Sequence, residues 1–339
     1  MKEWIGIMSL ALAIPASAQA PRPLFEASDP IHITIQAPLG ALDRNRQSEE
    51  AVPGTLIDPS GQRLPISLTL RGSNRRKDET CAFPPLRVTF STPPQTSLFA
   101  HQHSLKLVTH CQSSASFQQY VLLEYAAYKM FNVLSPESFR VRLANIDYIN
   151  ADGRPIISRI GFFIEDLKDV AKRNGMKPVR GPDRIPVEDL SPPEAIRYAM
   201  FQHMISNHDW AMRAGPEGKH CCHNAQLIGS LAPGMTIPIP YDFDQAGLVD
   251  APYAVPPDVL RISAVTQRVY RGYCLHNPQV IAVARQFRDA RPQLIGALTS
   301  TPGLEPRTQQ RAIAFLDGFF ADIASDQTAD ARLVRRCVN

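Results

Sequence analysis

Two runs of isoleucine and leucine set at every second position constrain this chain more than any other feature. Ile31, Ile33 and Ile35 alternate with His32, Thr34 and Gln36, and Ile66, Leu68 and Leu70 alternate with Ser67, Thr69 and Arg71. A period of two places the apolar side chains on one face, so each run reads as a half-buried strand. Leu86 to Phe90 and Ser104 to Val108 repeat the pattern, which predicts an antiparallel sheet over this part of the chain. The strand ending at Leu70 runs into Arg71-Gly72-Ser73-Asn74-Arg75-Arg76, which reads as a polar turn.

The spacing then changes. Tyr120, Leu123, Ala127 and Met130 recur at three and four, which predicts a helix that Ser116 caps while Gln119 reaches back, with Glu124 beside the apolar stripe. Phe139 to Ile149 and Ile156 to Ile164 flank Asn150-Ala151-Asp152-Gly153 and read as a hairpin. A short helix is expected from Asp166 to Asn174-Gly175, and residues 176–190, with Pro178, Pro182 and Pro186, suit a linker. Ser191-Pro192 with Glu194 opens another helix, buried through Ile196, Met200, Phe201 and Met204 and ending at Ser206-Asn207-His208-Asp209-Trp210. Strands are expected at Ala225–Ile228 and Met235–Pro240, the second running into Tyr241-Asp242-Phe243-Asp244, and helices at Gln279–Ala290 and Arg307–Ala324.

The ends and the cysteines speak to location. Lys2, the apolar run Ile5 to Ile14 and the small residues Ala16-Ser17-Ala18 and Ala18-Gln19-Ala20 form the pattern of a signal peptide over residues 1–20, cleaved after Ala18 or Ala20. This predicts a periplasmic or secreted protein. No later stretch approaches the eighteen apolar residues of a spanning helix, so no transmembrane anchor is expected. Six cysteines, all beyond that segment, suit an oxidising compartment and allow fifteen connectivities. Cys81 and Cys111 flank neighbouring strands and are the expected pair. His220-Cys221-Cys222-His223 invites a zinc site, but adjacent residues rarely wrap one tetrahedral ion. The expectation is that each Cys bridges elsewhere or that the two join each other. Lys plus Arg total 36 against 32 Asp plus Glu, net +4 and scattered, which does not favour nucleic acid as a partner.

Five polar residues stand in an informative order: Lys106 on a strand, Glu124 on the next helix, Asp209 and Asn224 around a loop, and Asp242 at a strand end. Phosphoryl transfer needs cations for the phosphates, carboxylates or an amide for a metal, and a carboxylate for the acceptor hydroxyl. Lys106 paired with Glu124 would meet the first need, Asn224 and Asp242 the second, and Asp209 the third as base.

At Leu70-Arg71-Gly72-Ser73, Ser104-Leu105-Lys106-Leu107, Glu124, Phe163-Ile164-Glu165, Asn207-His208-Asp209-Trp210 and Tyr241-Asp242-Phe243-Asp244 the chain resembles the spore coat protein H (CotH) kinase-like family. The resemblance implies an α+β, two-lobed protein-kinase-like fold, with a sheet-rich N-lobe over about 25–175 that binds nucleotide and a helical C-lobe over about 185–339. It further implies an ATP-dependent kinase that uses Mg or Mn and modifies serine or threonine hydroxyls of proteins. Lys106 and Glu124 would hold phosphate, Arg71 would meet a phosphate, and Glu165 would lie at the hinge near adenine. Asp209 would be the base, and Asn224 and Asp242, with Asp244 close by, would hold the metal. The chain departs from ordinary protein kinases in having no Gly-x-Gly-x-x-Gly loop and in placing Asn224 fifteen residues after Asp209 rather than about five. Two other classes stay open: an envelope or extracellular binding protein without turnover, and a metal-dependent hydrolase built on Asp209, Asp242 and nearby histidines. A serine hydrolase is not expected, since Ser206 lacks a Gly-x-Ser-x-Gly context.

Overall fold

A computed structural model describes residues 22–339, so the expected signal segment lies outside the described residues. The alternating runs do form strands. β1 (Ile31–Gln36), β2 (Val52–Ile57), β3 (Arg63–Leu70), β4 (Leu86–Phe90) and β5 (Ser104–Val108) pair antiparallel in sequence order, with the short helix α1 (Leu39–Arg44) between β1 and β2. After helix α2 (Gln118–Leu134), β6 (Val141–Ile149) and β7 (Pro155–Ile164) make the expected hairpin, and β7 pairs with β5. α2 differs from expectation at its start: a 3-10 turn over Ala115–Phe117 precedes it, and no side chain caps it.

The sheet does not stop there. β6 returns to β1 and pairs parallel with it, Ile31 opposite Ala144 through Gln36 opposite Ile149, so seven strands close into a barrel. This overturns the expected fold, a sheet-rich N-lobe over a helical C-lobe of protein-kinase type. Alternation specifies which residues face inward, but not which edges meet, and the β1–β6 contact that closes the barrel is set by neither strand alone. Ile33, Ile35, Leu56, Leu68, Val88, Leu107, Ile146 and Phe163 fill the interior and are buried. Each such side chain contributes about 1.5–3 kcal/mol on leaving water. β7 crosses close to β5 at Gly161, where a Cβ would lie 2.6 Å from the Val108 carbonyl oxygen.

Strands continue in the second half of the chain as well. After α3 (Leu167–Arg173), capped by Asp166, the expected linker contributes β8 (Pro178–Val179) to a small antiparallel sheet with β9 (Ala225–Gly229) and β10 (Thr236–Pro240). Of the helices that follow, α4 (Pro192–Met204) packs on β10, α5 (Asn277–Asp289) and α7 (Pro306–Asp322) pack on α4, α6 (Arg291–Thr299) packs on α2, and α8 (Asp326–Arg332) packs on α5 and α7. α2 belongs to this second core, in which Phe131, Phe201, Phe243, Phe287 and Phe319 are buried. α2 thus has its apolar side in the helical core while following a barrel strand.

All six cysteines are bridged. Cys81 joins Cys111 as expected, Cys274 joins Cys337 at the C-terminus, and Cys221 joins Cys222. The first closes a loop with a sequence separation of 30, for which chain entropy gives about 3–4 kcal/mol. These bonds fit an oxidising, non-cytoplasmic setting. No helix among the described residues is long and apolar enough to cross a membrane.

The close approach of β7 to β5 makes a prediction. Gly161→Val should lower stability by about 1–3 kcal/mol, as overpacking does in a closed core. Urea unfolding measures it, and an unchanged midpoint would show that β5 and β7 can part at no cost.

Candidate functional site

The site is organised by Arg75, a residue of the loop that follows β3. A 3-10 turn over Asn74–Arg76 aims it inward. Neighbouring contacts hold the turn: Arg76 donates to the carbonyls of Arg46 at 2.6 Å and Ser48 at 2.7 Å, and the Cys81–Cys111 bridge anchors the far end of the loop. The Arg75 guanidinium meets Glu124 Oε2 at 3.2 Å, Asp242 Oδ1 at 2.5 Å and Asp244 Oδ2 at 3.2 Å. One oxygen from each carboxylate lies within 4.8 Å of the others, a spacing that could hold a metal ion. Glu124 Oε1 is buried and has no hydrogen-bond partner, so the cluster keeps an unused ligand atom. Burial raises the carboxyls of Glu124 and Asp244 above the ordinary range, with Arg75 working against the shift. Burial likewise opposes the charge on Arg75, but Asp244, Glu124 and Asp242 more than offset it.

Lys106, on β5, is half-buried nearby. Its Nζ lies 4.4 Å from the Tyr241 ring centroid and 5.5 Å from that of Phe139. Burial and the neighbouring Arg71 bring the ammonium down to about 7, while Asp242 pulls the other way. Among the described residues Lys106 makes no ion pair, and the expected Lys106–Glu124 pair does not form, because Arg75 takes the glutamate. Arg71 itself is weakened by burial and supported by Asp242. An ammonium with a weakened hold on its proton, with the Arg71 guanidinium beside it, makes a place where an added anion would be welcome.

Asp209 follows α4 in the loop the sequence marked. His223 Nε2 lies 2.6 Å from Asp209 Oδ1, and Asn224 Nδ2 donates to Asp209 Oδ2 at 2.9 Å and to its carbonyl at 2.7 Å. The hydrogen bond to Asp209 raises the His223 imidazole above its usual range, against burial. The fifteen-residue interval closes because Ala211 and His223 bridge antiparallel, returning the chain to where it left. Asn224 and Asp242 have φ of +48° and +64°, left-handed values tolerated best by Asn, Asp and Gly. The strand β10 therefore ends before Asp242, whose N–H donates to Tyr128 Oη at 2.8 Å. The reversal sends both Asp242 and Asp244 to Arg75.

All the expected residues but Glu165 thus fall into three sets. Glu124, Asp242 and Asp244 converge, and Asp209 and Asn224 meet each other. Lys106 and Arg71 stand beside Asp242. Glu165 is elsewhere engaged: its buried carboxylate accepts from Arg173 Nε at 3.2 Å and from the Arg140 N–H at 3.0 Å, which leaves it a structural anchor rather than a hinge ligand. The zinc reading of His220-Cys221-Cys222-His223 fails because the thiols are joined to each other and His223 serves Asp209. Arg75 and His223 are the site residues missed. Arg75 was hidden in a turn that looks solvated, and His223 in a motif that pointed to metal.

Removing Arg75 tests the cluster. Arg75→Met should cost about 3–5 kcal/mol, the usual loss when one partner of a buried ion pair is deleted. Glu124 and Asp244 have raised folded pKa values, so their contribution falls as pH rises from the ordinary carboxyl range toward those values. Arg75 opposes that shift, so the penalty of its loss should grow between pH 5 and pH 8. Thermal melts at both ends of that range measure this, and a pH-independent penalty would mean the carboxylates are not held by Arg75.

No protein-family model matches the chain, and a comparison with curated proteins likewise finds no match.

Proposed function

We propose that this protein is an exported, metal-dependent phosphotransferase that uses ATP with Mg or Mn and passes the phosphoryl group to a serine or threonine hydroxyl of a protein. The observation that carries the reading is the convergence of Glu124, Asp242 and Asp244 within 4.8 Å, beside Lys106 and Arg71 and near an Asp209 already held by His223 and Asn224. Phosphoryl transfer asks for those three kinds of group and little covalent chemistry. The resemblance to the spore coat protein H kinase-like family supports the assignment of roles, not its fold.

Asp242 and Asp244 would hold the metal, with Glu124 Oε1 as a further ligand atom, and the ion would neutralise charge on the phosphates. Lys106 and Arg71 bind phosphate oxygens, and an anion there favours the charged form of Lys106, which burial opposes. Asp209 takes the proton of the acceptor hydroxyl, oriented by Asn224 and His223. The signal-like leader and the three disulfides support work outside the cytoplasm. The Asp209–His223 pair favours a second reading, a metal-dependent hydrolase in which water replaces the hydroxyl; phosphate release from ATP with no acceptor protein would distinguish it.

Two experiments bear on the reading. Mn-ATP at about a hundred times its dissociation constant should add about 2.7 kcal/mol to stability, read as a raised melting temperature. Asp242→Asn should abolish both metal-dependent nucleotide binding and turnover. Asp209→Asn should leave nucleotide affinity near wild type while turnover falls about a hundredfold to ten-thousandfold. Full transfer by Asp209→Asn, or Mn-ATP binding by Asp242→Asn equal to wild type, would remove these roles.

A further inference from the structure

The Cys221–Cys222 disulfide takes no part in the site described so far, yet it stands directly beside it. It immediately precedes His223 and Asn224, the two partners of Asp209. Both cysteines are half-buried and line a cavity of about 500 Å³. Leu167, Pro178, Leu227 and Tyr241 supply apolar walls to the same cavity. Tyr241 is the shared boundary, because its ring carries Lys106 Nζ at 4.4 Å and the next residue is Asp242. Two cavities of similar volume, about 560 and 570 Å³, are lined by neither Lys106 nor any of Glu124, Asp209, Asp242 and Asp244; the first reaches Glu165, whose carboxylate Arg173 and the Arg140 N–H already hold.

A nucleotide whose phosphates sit at Lys106 and Asp242 can put its ring in this hollow, which Tyr241 and Asp166 join to Lys106. The hollow is mixed in character, with Asp166, Lys168 and Gln226 at its polar part. A disulfide presents two soft, polarisable sulfurs with no hydrogen to donate, a surface on which a flat ring packs. Two thiols at the same place would be weak donors able to turn toward the Met212 carbonyl, which Cys222 Sγ already approaches at 3.2 Å.

We infer that the Cys221–Cys222 disulfide is a wall of the nucleotide-ring subsite, so that nucleotide affinity depends on its oxidation state. The inference rests on the nucleotide reading given above. The switch is chemically complete with a dithiol reductant. The reductant gives two electrons and two protons and closes to its own disulfide, while the Cys221–Cys222 S–S bond breaks and two thiols form.

The test compares Mn-ADP, which has the ring, with Mn-tripolyphosphate, which lacks it, by calorimetry on the full chain. Three forms are titrated: oxidised wild type, wild type after dithiothreitol, and C221S/C222S. Mn-ADP should bind about two- to tenfold more weakly to the reduced and substituted forms, the worth of a sulfur–ring contact. Mn-tripolyphosphate should bind all three alike, and dithiothreitol should change nothing further in C221S/C222S, which separates this bond from the other two disulfides. Equal Mn-ADP affinity in all forms would overturn the inference and leave the phosphotransferase reading intact. Equal weakening of both ligands would also overturn it, since the bond would then act by holding His223 and Asn224. Failure of oxidised wild type to bind either ligand would overturn the phosphotransferase reading and this inference with it.

Discussion

One guanidinium holds the centre of this molecule together. Arg75 comes from the loop after β3, Glu124 from α2, and Asp242 and Asp244 from the turn after β10, so its three ion pairs join the barrel to the helical core. Three carboxylates brought within 4.8 Å would otherwise repel. Two unit charges 4 Å apart interact by about 4 kcal/mol at an effective dielectric constant near 20. A cation in their midst is therefore a condition of the arrangement.

The surrounding backbone shows the same over-determination. Asn224 and Asp242 hold left-handed conformations that cost energy for most residues and persist only where neighbours enforce them. Asn224 is enforced by its two bonds to Asp209, and Asp242 by Tyr128 and Arg75. Both positions carry residue types that bear such a conformation at low cost. Polar side chains that serve the site thus also serve as the residues that make its turns.

Local patterns were legible in the sequence where one segment decides its own state. The alternation at Ile31–Ile35 and Ile66–Leu70, the Asp166 cap and the Asn150–Gly153 turn all report geometry that the segment itself imposes. What needed two distant segments was not legible. The pairing of β1 with β6 closes the barrel, and two-residue β8 lies in a stretch whose prolines read as a linker. The same division runs through the site. Asp209 and Asp242 stood out because helix ends and strand ends are marked in sequence, and Lys106 because it stands between Leu105 and Leu107 on a strand. The partner of Glu124 did not, because Arg75 sits 49 residues away in an unpatterned loop.

The parallel closure of the barrel has a consequence for how the chain must fold. β1 is made early, yet its second neighbour, Ala144 to Ile149, follows more than a hundred residues later. In a chain emerging from its N-terminus, β1 can take β2 at once but keeps its other edge bare until β6 arrives. Such long-range pairing slows folding and leaves an unpaired strand open to association with other chains. Once β6 docks and β7 fills the place between β5 and β6, the barrel has no free edge. The finished barrel is thus shielded from edge-to-edge aggregation by the same contact that makes its nascent form vulnerable, and the time between the two is the period in which a holding chaperone would matter.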